Sequence, residues 1–121
     1  MSLTYTLNMD NHHFLNQQIL KGMFDLAVLT LVDNKPMYGY ELTNELRRSE
    51  IFSIADGSIY PILKRLTTKK WVYSYQESYD GRIRKYYAAT PLGSEISKNG
   101  VQELEDIFSF FKSIRGDVHE R

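Results

Sequence analysis

A mainly α (α+β) fold, three helices followed by a two-stranded β-hairpin and a last amphipathic helix, is predicted by three features of the 121-residue sequence. Apolar residues recur at helical spacing in three separate stretches of its first half. An Asp80-Gly81 pair separates two segments rich in aromatic and β-branched residues, the strongest short-range hairpin signal. A Thr90-Pro91 pair then opens a segment whose apolar residues step by three and four.

Residues up to about 13 show no period and are expected to form an N-terminal arm, taken as 1–15. From Asn16 to Val32, residues such as Ile19, Leu20, Met23, Phe24 and Leu29 leave only a narrow polar stripe of Lys21, Asp25 and Thr30, which predicts a mostly buried helix. Asp33-Asn34-Lys35-Pro36 ends it. A short second helix is expected from Tyr40 to Arg48, with Leu42 and Leu46 one turn apart, followed by a connector whose Ile51, Phe52 and Ile54 turn inward. The third helix is expected to start with Ser58 as N-cap, which puts Pro61 at the third helical position, where its missing N–H costs little. Ile59, Ile62, Leu63 and Leu66 then share an inner face, and Ser58, Tyr60, Pro61, Lys64, Arg65 and Thr68 lie on or beside the outer one.

The expected strands are Trp71–Glu77 and Arg82–Thr90, and alternation sends Ile83, Lys85, Tyr87 and Ala89 to one side and Arg84, Tyr86 and Ala88 to the other. In the last helix Thr90 is the expected N-cap with Pro91 at the first position. Val101, Leu104, Phe108 and Phe111 follow coiled-coil spacing, and Ile107, Phe110 and Ile114 widen the stripe. Asn99-Gly100 is a place for a kink near the start of this helix. The expected organisation is an arm (1–15), a helical and hairpin unit (16–90) and a pairing helix (91–121).

Composition narrows the function. With 42% hydrophobic and 13% aromatic residues the chain is not a disordered tail or a low-complexity linker. A domain this small buries about two-thirds of its unfolded surface, so a second subunit would add stability. The longest near-apolar run, Leu26 to Val32, is too short to cross a bilayer, and no charged leader with a cleavage site opens the chain. The absence of cysteine excludes disulfides, thiolate metal sites and a cysteine nucleophile and fits a reducing, cytoplasmic setting. His12 and His13 are adjacent and cannot both face one ion as an i, i+4 pair does, so no metal is expected. Glu41 and Glu45 are one turn apart but have no nucleophile, phosphate loop or histidine beside them; no enzyme and no cofactor are expected.

Fifteen basic and fifteen acidic residues cancel overall. They are not evenly spread, for residues 35–90 hold ten basic against six acidic side chains while both flanks are net acidic. A basic centre between acidic ends is the asymmetry expected when one part meets a polyanion and the others meet protein. The order of elements is that of a winged helix-turn-helix, in which a major groove admits one helix and a basic hairpin tip reaches phosphates or the neighbouring minor groove.

Four blocks sharpen this. Leu20-Lys21-Gly22, Met37 to Leu42, Asp56 to Leu66, and Gly81 to Tyr87 running on to Thr90-Pro91-Leu92-Gly93 stand in one order and spacing that resembles the PadR family of bacterial transcriptional regulators. The resemblance covers about residues 18 to 95. It implies a homodimeric repressor in which the third helix reads DNA, the hairpin is the wing and the last helix pairs subunits. The chain departs from the family at Lys69-Lys70-Trp71, where Glu-Gly is frequent, and its single C-terminal helix, which lacks tryptophan, resembles the smaller subclass.

The candidate DNA contacts are therefore Tyr38, Tyr40, Ser58, Tyr60, Pro61, Lys64, Arg65, Thr68, Arg82, Arg84 and Lys85. Several have a plainer alternative: Lys64 and Arg65 solvated, Tyr60 half-buried packing, Ser58 only a cap, Tyr40 packed beneath the third helix, and Arg84 or Lys85 paired with an acidic neighbour. Val101, Leu104, Ile107, Phe108, Phe111 and Ile114 are the candidate dimer seam, and Trp71 is core before it is a ligand platform. The reading is a dimeric, sequence-specific regulator of double-stranded DNA with a palindromic operator, a repressor released by a small, aromatic effector near the seam. Its rivals are a winged-helix protein-interaction module and an aromatic small-molecule sensor without direct operator binding.

Overall fold

A computed structural model describes residues 14, 15 and 17–116; most of the expected arm, with His12 and His13, lies outside the described residues. Helix α1 (Gln17–Asn34) places Leu20, Phe24, Val28 and Val32 one turn apart on a single buried line, with Leu29 beside it. Strand β1 (Met37–Tyr38), helix α2 (Gly39–Leu46) and helix α3 (Ile59–Thr68) follow, then strands β2 (Val72–Tyr79) and β3 (Arg82–Ala89), and last helix α4 (Pro91–Arg115). The core gathers Leu42 and Leu46 of α2, Ile54 of the connector, Ile59, Ile62, Leu63 and Leu66 of α3, and Val72 and Tyr87 of the sheet against α1. Phe52 meets Phe24 edge-on at 5.1 Å, so the connector does turn inward.

The sheet has one strand more than the sequence indicates. Its order is β1-β3-β2, all antiparallel, with Met37 opposite Tyr87 and Tyr38 opposite Tyr86. Two residues carry no readable alternation, so β1 exists only through its partner. The hairpin is as expected but longer at its first strand: Tyr79 pairs with Arg82, and the turn is Asp80-Gly81 alone. Both turn residues have positive φ (52° and 78°), which a two-residue hairpin turn of this twist requires.

Ser58 does not cap α3 with its side chain. Its φ and ψ (−68°, −16°) are already helical rather than extended, and its N–H is held by Ala55 O in the preceding turn, so its hydroxyl makes no cap bond. Pro61 does occupy the third helical position. At the other end of α3, Lys70 N–H donates to Thr67 O (2.9 Å) and Trp71 N–H to Leu66 O (3.1 Å), a Schellman closure. Lys70 holds the left-handed position of that closure (φ 65°), normally the place of glycine.

This corner seats α4. Thr90 N–H donates to Trp71 O (2.9 Å), the Thr90 hydroxyl donates to Lys70 O (2.8 Å), and Gly93 N–H donates to the same hydroxyl (2.9 Å), which makes Thr90 the expected N-cap. Gly93 lies so close to the Trp71 carbonyl that a Cβ there would overlap it. Gly100, expected as a kink, instead lets α4 approach α1: a Cβ would sit 2.8 Å from Leu26, and α4 runs on for 25 residues. The buried Ser97 shares a 2.8 Å hydrogen bond with Thr30 of α1.

Two substitutions test the corner. Lys70→Gly relieves a left-handed lysine and raises stability by about 0.5 kcal/mol in urea unfolding. Gly93→Ala drives a methyl into backbone and lowers stability by about 2–3 kcal/mol in the same measurement.

Candidate nucleic-acid interface

Burial of Ile59, Ile62, Leu63 and Leu66 decides which side of α3 is left outward. Tyr60, Pro61, Lys64 and Thr68 are exposed there. Facing them is the hairpin side that carries Lys85 and Ser74, and Tyr60, Lys64, Thr67 and Thr68 line with these two a cleft of about 360 Å³. Lys64 and Lys85 thus flank one trough, and neither has an ion-pair partner among the described residues. Tyr60 reaches across to the start of α2, where Gly39 leaves room for its hydroxyl; a Cβ at 39 would overlap it. Tyr87 closes the floor, and burial, reinforced by Tyr60, raises its hydroxyl above the ordinary tyrosine pKa, so it stays a neutral group.

Arg84 points to the opposite side of the ribbon from Lys85, as alternation requires. Its guanidinium lies 4.6 Å from the Tyr38 ring centre and 4.8 Å from that of Tyr79. Tyr38 in turn meets Tyr86 edge-on at 5.5 Å and stacks with Tyr40 at 6.4 Å, and Tyr86 stacks on Tyr75 at 5.8 Å. Tyrosines hold Arg84, not an acidic neighbour, although Glu77 is its cross-strand partner. Tyr40 is 65% exposed, so it does not pack beneath α3. Arg82 is exposed at the ribbon tip beside the turn. Tyr38 caps α2 through its backbone, its N–H donating to the Glu41 carboxylate at 3.2 Å.

Arg65 departs from the expected set. Its guanidinium turns back to α1 and bonds Asp25 with two nitrogens, at 2.6 and 3.3 Å. Among the residues missed by the sequence reading, Tyr75, Tyr79 and Tyr86 carried a usable signal. The two-residue turn fixes the register, and the register puts them on the face of Arg84. The same register puts Ser74 opposite Tyr87 on the face of Lys85, and Thr67 lies one turn from Lys64; Asp25 carried no signal, because its partner belongs to another element.

The residues expected to form a seam all lie on α4. Val101, Ile107, Phe108, Phe111 and Ile114 of α4 are exposed, as is Phe110, and Leu104 is half-buried. Between α1 and α4 a groove of about 530 Å³ is bordered by Met23, Asp25, Leu26, Trp71, Ile96 and Leu104. Trp71 packs against the core and carries Lys69 Nζ over its ring at 4.6 Å. Among the described residues no cluster of metal-binding side chains occurs, and no helix is long and apolar enough to cross a membrane.

Three helices, a ribbon returning beside the third, and a fourth helix locked to the corner define a winged helix-turn-helix protein. The family model for the PadR-like transcriptional regulators matches residues 28–99, well over half the chain, and the chain belongs to that family, one of regulators rather than enzymes. A Lysinibacillus sphaericus protein is 35% identical over 99 residues, covering 74% of this chain and 91% of its own. A transcriptional regulator of Mycobacterium tuberculosis is 33% identical over 82 residues, covering 68% of this chain and 76% of its own. Among solved structures, a Streptococcus transcriptional regulator is similar with a TM-score of 0.75 and 32% identity, over 83% of this chain and 99% of that one. A PadR-like transcriptional regulator of Bacillus cereus has a TM-score of 0.73 and 28% identity, over 81% and 96% respectively.

The Gly39–Tyr60 seat is testable by a double-mutant cycle. Gly39→Ala lowers stability by about 1–2 kcal/mol, and combining it with Tyr60→Ala, which empties the seat, recovers part of that loss in urea unfolding.

Proposed function

We propose that the protein is a homodimeric, sequence-specific DNA-binding repressor whose α3 enters the major groove while the β2–β3 ribbon meets the flanking backbone. The observation that carries this is the trough flanked by Lys64 of α3 and Lys85 of the ribbon, neither of which has an ion-pair partner among the described residues. Lysines whose charge no carboxylate cancels, beside an outward helix, suit phosphate neutralisation; the Tyr87 ring under Lys85 leaves its charge intact. Tyr60, Pro61 and Thr68 share the outward face of α3, with Ser58 at its start. Tyr38, Tyr40, Arg82 and Arg84 form the second part of the contact along the ribbon and the start of α2. Their tyrosine packing holds Arg84 ready, which lowers the entropy lost on binding.

A second copy of α4 is the partner for its apolar stripe. Phe108 and Phe111 are 61% and 58% exposed in the single chain, and an uncovered row of this kind marks an association surface. A two-fold pair sets two α3 helices about 34 Å apart, one turn of B-DNA, and so selects a palindromic operator. In this division residues 16–90 bind DNA, 91–121 pair subunits and 1–15 are an added arm, in a cytoplasmic protein. The α1–α4 groove, with Trp71 on its wall and Leu104 of the seam on its border, is where a small, aromatic effector would act on the repressor.

Lys64→Ala and Arg84→Ala each weaken binding about tenfold, roughly 1.4 kcal/mol, without loss of helical signal. The measurement is fluorescence anisotropy with a duplex that the protein selects from a random library; unchanged affinity in both variants removes the site. Phe111→Glu converts the dimer to a monomer in sedimentation analysis and abolishes tight binding to the full palindrome.

A further inference from the structure

Arg65 is the neighbour of Lys64 on α3, and spacing alone directs both at DNA. The fold separates them. Arg65 Nη2 donates to Asp25 Oδ1 at 2.6 Å and Nε donates to Oδ2 at 3.3 Å, the two-pronged arrangement in which arginine fixes direction as well as distance. The side chains are 34% and 14% exposed, so the carboxylate is the better shielded of the two. Around it the α1–α3 contact is apolar, with Phe24 and Ile62 in the same core. Burial of Ile59, Ile62, Leu63 and Leu66 sets which side of α3 faces inward, but apolar packing is non-directional and leaves the last few degrees of its rotation open. A planar bond between rigid α1 and the edge of α3 supplies the missing direction.

We infer that Asp25 and Arg65 are positioning residues for DNA binding: Arg65 touches no phosphate, and the pair sets the rotation of α3 so that Lys64, Pro61 and Thr68 face the groove. The inference rests on α3 being the DNA-reading helix. It reverses the expectation for Asp25. An acidic residue beside a phosphate-binding arginine would weaken binding, and its removal would free a cation. Here its removal costs affinity.

The test uses the full chain and a duplex selected by the wild-type protein, with affinity read across a series of KCl concentrations. Asp25→Asn and Arg65→Gln each weaken binding about tenfold, and the double variant binds no more weakly than either single one, as two halves of one device require. The slope of log affinity against log salt keeps its wild-type value in all three, whereas Lys64→Ala lowers it by about 0.9, the mark of one lost phosphate contact. Arg65→Lys behaves as Arg65→Gln, because an ammonium cannot make the two-pronged bond. A slope lowered by about 0.9 in Arg65→Gln, with Asp25→Asn binding as tightly as wild type or tighter, makes Arg65 a direct contact and overturns the inference. Unchanged affinity in both variants overturns it equally, leaving the pair a matter of stability only. If Asp25→Asn does not fold, the slopes of Arg65→Gln and Arg65→Lys decide alone. A wild-type protein that selects no duplex overturns the proposed function itself, a failure seen before any variant is made.

Discussion

Helix α1 carries apolar side chains around most of its circumference, and such a helix cannot rest on a surface; it must be enclosed. Leu20, Val28, Leu29 and Val32 are buried almost completely, each contributing about 1.5–3 kcal/mol against the entropy of ordering the chain. The other elements are arranged to supply that enclosure. Helices α2 and α3 and strand β3 meet α1 on one side, and α4 meets it on the other through Gly100 and the Ser97–Thr30 bond. Because α3 must turn Ile59, Ile62, Leu63 and Leu66 toward α1, its outward side is determined at the same time. The regulator's working face is the remainder of a packing solution.

Charge on that face is likewise a remainder. A whole chain with no net charge gives no steering toward a polyanion, so what counts is which cations the fold leaves unneutralised. Arg47 pairs with Asp56, Arg48 with Glu45, and Arg65 with Asp25. Lys64 and Lys85 have no such partner among the described residues and flank the same trough. Arg84 keeps its charge too, because tyrosine faces attract a guanidinium without cancelling it. A sequence count of basic residues overstates the surface by including arginines that hold the fold together.

What could be read from the sequence was whatever short stretches decide by themselves. Asp80-Gly81 fixes its turn by backbone preference, Thr90-Pro91 fixes a helix start, and the spacing 59, 62, 63, 66 fixes a buried face. The family blocks lie on these same stretches, which is why fold and family were legible together. What was not legible mostly involves distant partners. Strand β1 is two residues long and exists because Tyr86 and Tyr87 are available some fifty positions away. The Arg65–Asp25 bond is not legible because Asp25, forty residues earlier, reads as one of the polar breaks in the stripe of α1. Gly100 read as a weakness in α4 because nothing near it in sequence reveals Leu26. Ser58 failed differently: residue type suited a cap, but the turn before it had already set a helical backbone.

The knot of hydrogen bonds at Thr90 has a mechanical corollary. With its backbone and hydroxyl tied to both residues of the α3–β2 corner, and Gly93 pressed on the Trp71 carbonyl, α4 leaves the wing unit as a welded arm rather than a swinging one. In the proposed dimer each protomer then moves as one leg of a pair of callipers, and the gap between the two reading tips is governed by the angle at which the legs cross. A shift of a few degrees at the far end of α4 is magnified at the tips, so an influence on the crossing can disengage both from DNA without reshaping either.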